Sequence, residues 1–372
     1  MSLLVPSSLK NVLEIRPPFA TPYAVPNGIE GLPPGREPVC TRMVSRTVHR
    51  QTREPPMPAF LGLDIAKHSF DAVLLTEDRQ RHHVFDNDQT GFDALLTWLG
   101  ATTADLRACM EATGGYGDDL ALFLHQQGIT ISIINPLQIK AFGQCEMVRT
   151  KTDKVDAGVI ARFCRSQLPA PWQPPSPQTR DLRALVRRCA ALKEARAAEL
   201  QRRAQEATSP AAVASINRHI AFLDAEIAGV SADVERLIGG DAVLKENHDL
   251  LISIPGIGPQ SAAVLLAEIP DFRLFRHNKQ ITAFVGLNPQ ERQSGSSVRG
   301  RTHISKVGNP RIRAILYMCA LSARRHNPTL KTFADRLKDA GKPPKAVLVA
   351  VARKLLVIAY GIMKTRKPFH PS

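Results

Sequence analysis

Three strand-like runs follow one another at residues 60–66, 70–75 and 82–86, and only then does the pattern alternate, with helices over 92–99 and 118–126 and strands over 106–111 and 130–134. Strands in immediate succession pair as a meander, but the later ones must be reached through helices. The run therefore predicts one mixed sheet with helices packed on it. A further helix over 152–166 closes this part. Within the first strand, Phe60-Leu61-Gly62-Leu63-Asp64-Ile65-Ala66, a carboxylate stands between apolar neighbours. A charge in a buried strand costs several kcal/mol unless something compensates it, and a cation does so economically.

Asp64 has company. Glu111 ends the second apolar run at 106–111, and Asp153 and Asp156, three apart, share one face of the first turn of the closing helix, whose inward residues are Val155, Val159, Ile160 and Phe163. Hard divalent cations such as Mg²⁺ or Mn²⁺ prefer carboxylate oxygens. Two such ions, about 3.5–4 Å apart, can stabilise the attacking and leaving oxygens of a phosphodiester displacement. A meander, alternation and four acids from three elements together match a nuclease of the ribonuclease H type. Taken singly, Asp153 and Asp156 also suit a helix N-terminus with no metal, and Glu111 a strand end.

Charge divides the chain. Residues 249–372 hold 21 Lys and Arg against 6 Asp and Glu, but residues 58–170 hold 10 against 14. An acidic part joined to a strongly basic one predicts a division between metal binding and contact with a polyanion, of which nucleic acid fits best. Cys40, Cys109, Cys145, Cys164, Cys189 and Cys319 are scattered without a CxxC pair, which predicts reduced thiols in a cytoplasmic protein and no zinc site. The longest apolar stretch, 346–363, contains Arg353 and Lys354 and reads as a buried helix, not a membrane span. Residues 1–57, rich in Pro and Arg without a sustained period, predict a disordered extension, and Met57 reads as an alternative start.

After a proline-rich linker at 168–177, Leu182, Leu185, Val186, Cys189 and Leu192 form a helical stripe. Beyond Ser209-Pro210, Val213, Ile216, Ile220, Leu223, Ile227, Val230, Val234 and Leu237 recur alternately every three and four residues. That is a coiled-coil seam, either an intramolecular antiparallel hairpin or a dimerising coil, and in both cases an arm over 171–248. The basic part begins with Ile254-Pro255-Gly256-Ile257-Gly258-Pro259 ahead of a helix, like the turn of a helix-hairpin-helix unit. There Gly256 and Gly258 let backbone N–H groups meet a DNA phosphate. A polar stretch from Gln293 to Pro310 mixes small residues with Arg299, Arg301 and Lys306, and Arg311 and Arg313 follow on the helix capped by Asn309. These five cations suit phosphate contacts.

With these motifs in order, the chain resembles the transposases of the insertion sequence 110 group, the DEDD transposases that act as bridge-RNA-guided recombinases. The resemblance rests on Gly62-Leu63-Asp64-Ile65-Ala66-Lys67, Met110-Glu111-Ala112-Thr113-Gly114-Gly115-Tyr116, Lys151-Thr152-Asp153-Lys154-Val155-Asp156-Ala157, Pro255-Gly256-Ile257-Gly258, and Gly286-Leu287-Asn288-Pro289 through Ser294-Gly295 to Ile304-Ser305-Lys306-Val307-Gly308-Asn309. It implies a RuvC-like domain over 58–170 with Asp64, Glu111, Asp153 and Asp156 as its metal tetrad, a coiled-coil arm, and a transposase domain over 249–372. It also implies a nucleophilic serine, which by position is Ser294, with Ser296, Ser297 and Ser305 nearby. Expected partners are donor and target DNA, a non-coding bridge RNA, and further copies of the chain in a dimer or tetramer. A metal-dependent structure-specific nuclease would need the four acids but no serine. A sugar kinase would share the Gly62–Ile65 strand but require further phosphate loops. A non-catalytic DNA-binding protein would use only the hairpin and the basic loop.

Overall fold

A computed structural model of the chain describes residues 59–370, apart from 78, 113, 206–208, 270, 292, 295–297 and 300–302. The expectations for residues 1–57, Met57, Ser296, Ser297 and Arg301 lie outside the described residues.

The meander forms as β1 (Ala59–Ile65), β2 (Ser69–Leu75) and β3 (Gln80–Asp86), followed by α1 (Gln89–Leu99), β4 (Leu106–Glu111), α2 (Asp118–Gln126) and β5 (Thr130–Ile134). The sheet runs in the order β3-β2-β1-β4-β5. β2 lies antiparallel to both neighbours, and β4 and β5 run parallel to β1. This is the ribonuclease H-like arrangement. Both faces are covered, which is why β1 is apolar almost throughout. Leu61, Leu63, Phe70 and Leu74 pack with Phe92, Leu95, Leu120 and Leu124 on one face. On the other, Phe60, Val73 and Cys109 meet the inner sides of α3 (Pro136–Cys145) and α4 (Asp153–Gln167).

Sequence reasoning passed over α3, although its start carries a clear signal. The Asn135 side chain accepts from the Leu137 N–H, and Pro136 occupies the first turn. The helix is amphipathic only weakly, and Ile139 is its sole buried residue, so periodicity does not reveal it.

The linker is pinned to β5 by Trp172 N–H donating to the Ile131 carbonyl at 2.7 Å and by Ser132 Oγ donating to the Pro169 carbonyl. Next come α5 (Pro177–Gln205) and α6 (Pro210–Gly240), packed along one another. Arg196 pairs with Asp224, Arg203 with Asn217 and Cys189 with Ser231, so numbers fall along one helix as they rise along the other. The seam has thus folded as an antiparallel hairpin within one chain. Its residues are buried at Ile220, Leu223 and Val234 and half-buried at the other five positions.

The remaining helices are α7 (Ala242–Ile252), α8 (Pro259–Glu268), α9 (Asn278–Val285), α10 (Pro310–His326), α11 (Pro328–Asp339) and α12 (Pro344–Thr365). They share one core with the base of the hairpin, in which Leu182, Val186 and Ile238 join Leu265, Ile281, Leu316, Val351 and Leu355. α12 alone among the described helices is long and apolar enough to cross a membrane. Its Val351, Leu355, Leu356 and Ala359 are fully buried in this core, as expected of residues 346–363. Between α9 and α10 the polar stretch forms a narrow ribbon in which β6 (Pro289–Gln290) pairs with β9 (His303–Ile304) and β7 (Gln293–Ser294) pairs with β8 (Val298–Arg299).

Candidate active site

The close approach of α4 to β1 builds the acidic centre. A Cβ at Gly62 would lie 2.2 Å from the Ala157 carbonyl oxygen and 2.3 Å from the Ala161 nitrogen, so backbone meets backbone there. Residue 62 must be glycine for the helix to sit this low. Thr152 caps the helix by accepting from the Val155 N–H, which places Asp153 and Asp156 in its first turn. Gly62→Val is expected to push the helix off the strand, lower the melting temperature by at least several degrees and abolish activity. A melting curve within about 1 °C of the unaltered protein would rule this out.

The sheet register brings the other acids to the same face. Asp64 stands directly across from Asp71 of β2, and Glu111 lies at the end of β4, in step with Cys109 on the α4 side. Asp64, Glu111 and Asp156 are half-buried and Asp153 is exposed. Burial, and then the charges of Asp156, Asp153, Glu111 and Asp71, push the Asp64 carboxyl up to about 6. Glu111 is raised by burial and by Asp156, against the pull of Lys151. Asp156 is raised by burial and by Asp153, again opposed by Lys151. The four acids therefore feel one another. Among the described residues, however, no three His, Cys, Asp or Glu side chains close around a point as metal ligands do. The fit to a divalent cation is one of charge and oxygen chemistry: the acids are gathered, and their mutual repulsion is what a cation relieves.

Two participants escaped sequence reasoning. Asp71 adds to the charge on Asp64, and His82 Nε2 sits 2.6 Å from Asp71 Oδ1. Only the register of β2 and β3 reveals them, because nothing in the meander marks either residue out.

In the basic part, the two glycines of the turn differ. Gly256 has φ +109°, and a Cβ there would lie 2.4 Å from that of Ala323 on α10, so this residue serves helix packing. Gly258 precedes α8 with open space around it. Gly256→Ala is expected to destabilise the fold by a few kcal/mol, but Gly258→Ala should leave the melting temperature unchanged and weaken DNA binding. Thermal melts and binding isotherms on both variants check this, and equal melting temperatures would defeat it.

Ser294 and Arg299 lie on the paired strands β7 and β8. Lys306 and Arg311 are exposed. Arg313 is not free for phosphate in the same way, since its Nη1 donates to the carbonyls of Val285 and Gly308, each at 2.9 Å.

A ribonuclease H-like sheet bearing clustered acids is thus continued by a helical part that carries the basic excess. Residues 61–207 match the DEDD transposase family of IS110, and residues 248–335 match the transposase family IS116/IS110/IS902. The chain is 34% identical over 317 residues to the pilin gene-inverting protein of Moraxella lacunata, covering 83% of this chain and 97% of that protein. It is 25% identical over 293 residues to the transposase for insertion sequence element IS1111A of Coxiella burnetii, covering 72% and 78% of the two chains. The chain belongs to the IS110 family of transposases.

Proposed function

We propose that this chain moves an insertion sequence by cutting and rejoining DNA strands, with Asp64, Glu111, Asp153 and Asp156 as ligands for divalent ions and Ser294 as the nucleophile. The observation that carries the reading is the gathering of acids from β1, β4 and α4 on one side of the sheet, where burial and then their charges push Asp64 up to about 6. In the division of labour we assign, residues 58–170 form the RuvC-like catalytic part, 171–248 a coiled-coil arm and 249–372 the transposase domain. Mg²⁺ or Mn²⁺ bound by the tetrad would withdraw charge from the phosphate and favour the ionised form of an attacking hydroxyl. The serine Oγ forms a bond to phosphorus as the bond from phosphorus to the sugar oxygen breaks. The serine proton is lost to a neighbouring base, and the sugar oxygen takes one up. The phosphoserine keeps the energy of the broken ester, so rejoining needs no nucleotide triphosphate.

One relative is named for inverting a pilin gene. Inversion requires that cut ends be resealed, which favours a recombinase over a nuclease that stops at cleavage. Gly258, Arg299, Arg301, Lys306 and Arg311 are the phosphate contacts we assign in the basic part, with Gly256 and Arg313 holding the framework around them. The partners that follow from the resemblance are donor and target DNA, a bridge RNA and further copies of the chain, with the tetrad and serine donated by different protomers. The deciding experiment captures the protein from bacteria carrying the intact element, digests the DNA, and maps any retained nucleotide by mass spectrometry. A nucleotide on Ser294 is expected. An adduct elsewhere refutes the assignment, and cleavage without any adduct returns the protein to the nuclease reading.

A further inference from the structure

The ribbon that carries Ser294 is held at its root by an unusually complete set of contacts. Ser305 N–H donates to the Asn288 carbonyl and Ser305 Oγ to Asn288 Oδ1 at 2.7 Å, Lys306 N–H donates to the Gly286 carbonyl, and Asn309 N–H donates to the Phe284 carbonyl. Gly308, at φ +143°, lies so close to α9 that a Cβ would come within 2.2 Å of the Phe284 carbonyl oxygen. Arg313 bolts both ends of the root through the carbonyls of Val285 and Gly308. The root is thereby fixed to α9 and α10. A separate connection ties it to the arm.

That connection runs through Glu268, the last residue of α8, whose side chain is 2% exposed. One carboxylate oxygen accepts from Arg187 Nε of α5 at 2.9 Å. The other accepts from Arg187 Nη2 at 3.2 Å and from Asn309 Nδ2 at 2.9 Å. Asn309 meanwhile turns its Oδ1 to the N–H groups of Arg311 and Ile312 and so caps α10. Burial works against the Glu268 charge, but the hydrogen bonds from Arg187 and Asn309 outweigh it and hold the carboxyl below its ordinary value. On the other side, Arg183 donates to the Ala267 carbonyl, and both arginines feel Asp118 in the first turn of α2, within the acid-bearing part. A buried ion pair is a poor device for stability alone, because apolar residues of similar volume do as well or better. Its bidentate geometry instead fixes direction.

We infer that Glu268 and Asn309 are positioning residues for strand exchange: the Arg187–Glu268–Asn309 chain sets the root of the ribbon relative to the base of the arm, and so sets where Ser294 can meet a phosphate. This rests on Ser294 being the nucleophile. Misplacing a reacting group by about 1 Å costs on the order of 10²-fold in rate. Asn309→Asp keeps the cap, since Asp caps as well as Asn, but turns a carboxylate on Glu268. Glu268→Gln combined with Asn309→Asp restores a donor facing an acceptor with the polarity reversed and keeps one negative charge beside Arg187, at the loss of the Arg187 Nη2 bond to the Glu268 oxygen that Asn309 also meets.

The test uses the full chain in bacteria carrying the intact element. Excision junctions are counted by quantitative PCR, the Ser294 adduct by mass spectrometry, protein level by immunoblot, and melting temperature on purified protein. N309D is expected to lower junctions and adduct about 30- to 100-fold at unchanged protein level, and the double variant to rise about tenfold above N309D. Recovery of activity that merely follows a recovered melting temperature would show a structural role and overturn the proposal. N309D activity equal to the unaltered protein overturns it as well, with the serine assignment intact. If the unaltered protein yields junctions but no Ser294 adduct, the serine assignment fails first and this inference falls with it.

Discussion

Asp64→Asn is expected to reduce strand cleavage on the order of 10³-fold and, in the same molecule, to make the fold more resistant to heat above pH 6. The first effect follows from the proposed role of Asp64 as a ligand in a metal-assisted displacement. The second comes from linkage. The folded-state value of Asp64, about 6, lies above its ordinary 3.8, because burial and then the neighbouring acids disfavour the charge. Between these values the folded chain holds more proton than the unfolded one, so stability falls as pH rises through that window, and the loss is complete above about 6. Asparagine carries no charge and avoids the loss. After allowance for solvent screening at a partly exposed group, the gain at pH 7.5 is about 1–2 kcal/mol, against almost none near pH 4. Circular dichroism melts at both pH values read it directly, and equal shifts at the two would sink the electrostatic account. Millimolar Mg²⁺ should raise the melting temperature of the unaltered protein and leave that of the variant in place.

Ser294→Ala carries the other large effect. If Ser294 is the nucleophile proposed above, its loss removes the covalent intermediate itself, so rejoined product is expected to fall by about 10⁴-fold or more. On the Ser294 assignment, Ser296→Ala and Ser297→Ala should stay within about threefold. Counting excision junctions from the intact element compares all three on one scale. Sustained junction formation by S294A would leave a serine-independent nuclease as the better description, with resealing left to other enzymes. Retention of single-strand nicks by S294A without junctions would show that cleavage does not pass through Ser294 and would refute the covalent mechanism.

Much of the acid-bearing part was legible because its signals are local. The apolar runs that became β1, β2 and β4 are bounded by polar turns, and Asp64 announces itself by standing in a buried strand. The family match bore out the resemblance to IS110 transposases. What stayed hidden depends on register and on contacts between distant residues. Asp71 reaches the acidic centre only because β2 pairs with β1 in one particular alignment. Glu268 looks like an ordinary helix-end acid until Arg187, 81 positions earlier, and Asn309, 41 positions later, close on it. Gly256 and Gly258 are alike as letters, and only the nearness of Ala323 separates their duties. The polar stretch before α10 read as a loop because strands of two residues leave no period to detect.

The paired helices α5 and α6 hold 29 and 31 residues. At about 1.5 Å of rise per residue such rods reach roughly 43–46 Å, the length of about 13 base-pair steps of duplex. That length exceeds one full winding of duplex DNA. Deleting one heptad from each rod would shorten the hairpin by about 10 Å, the length of about three base pairs. Because the two rods pair side by side in opposite directions, insertions or deletions in one are expected to be tolerated only when matched in the other.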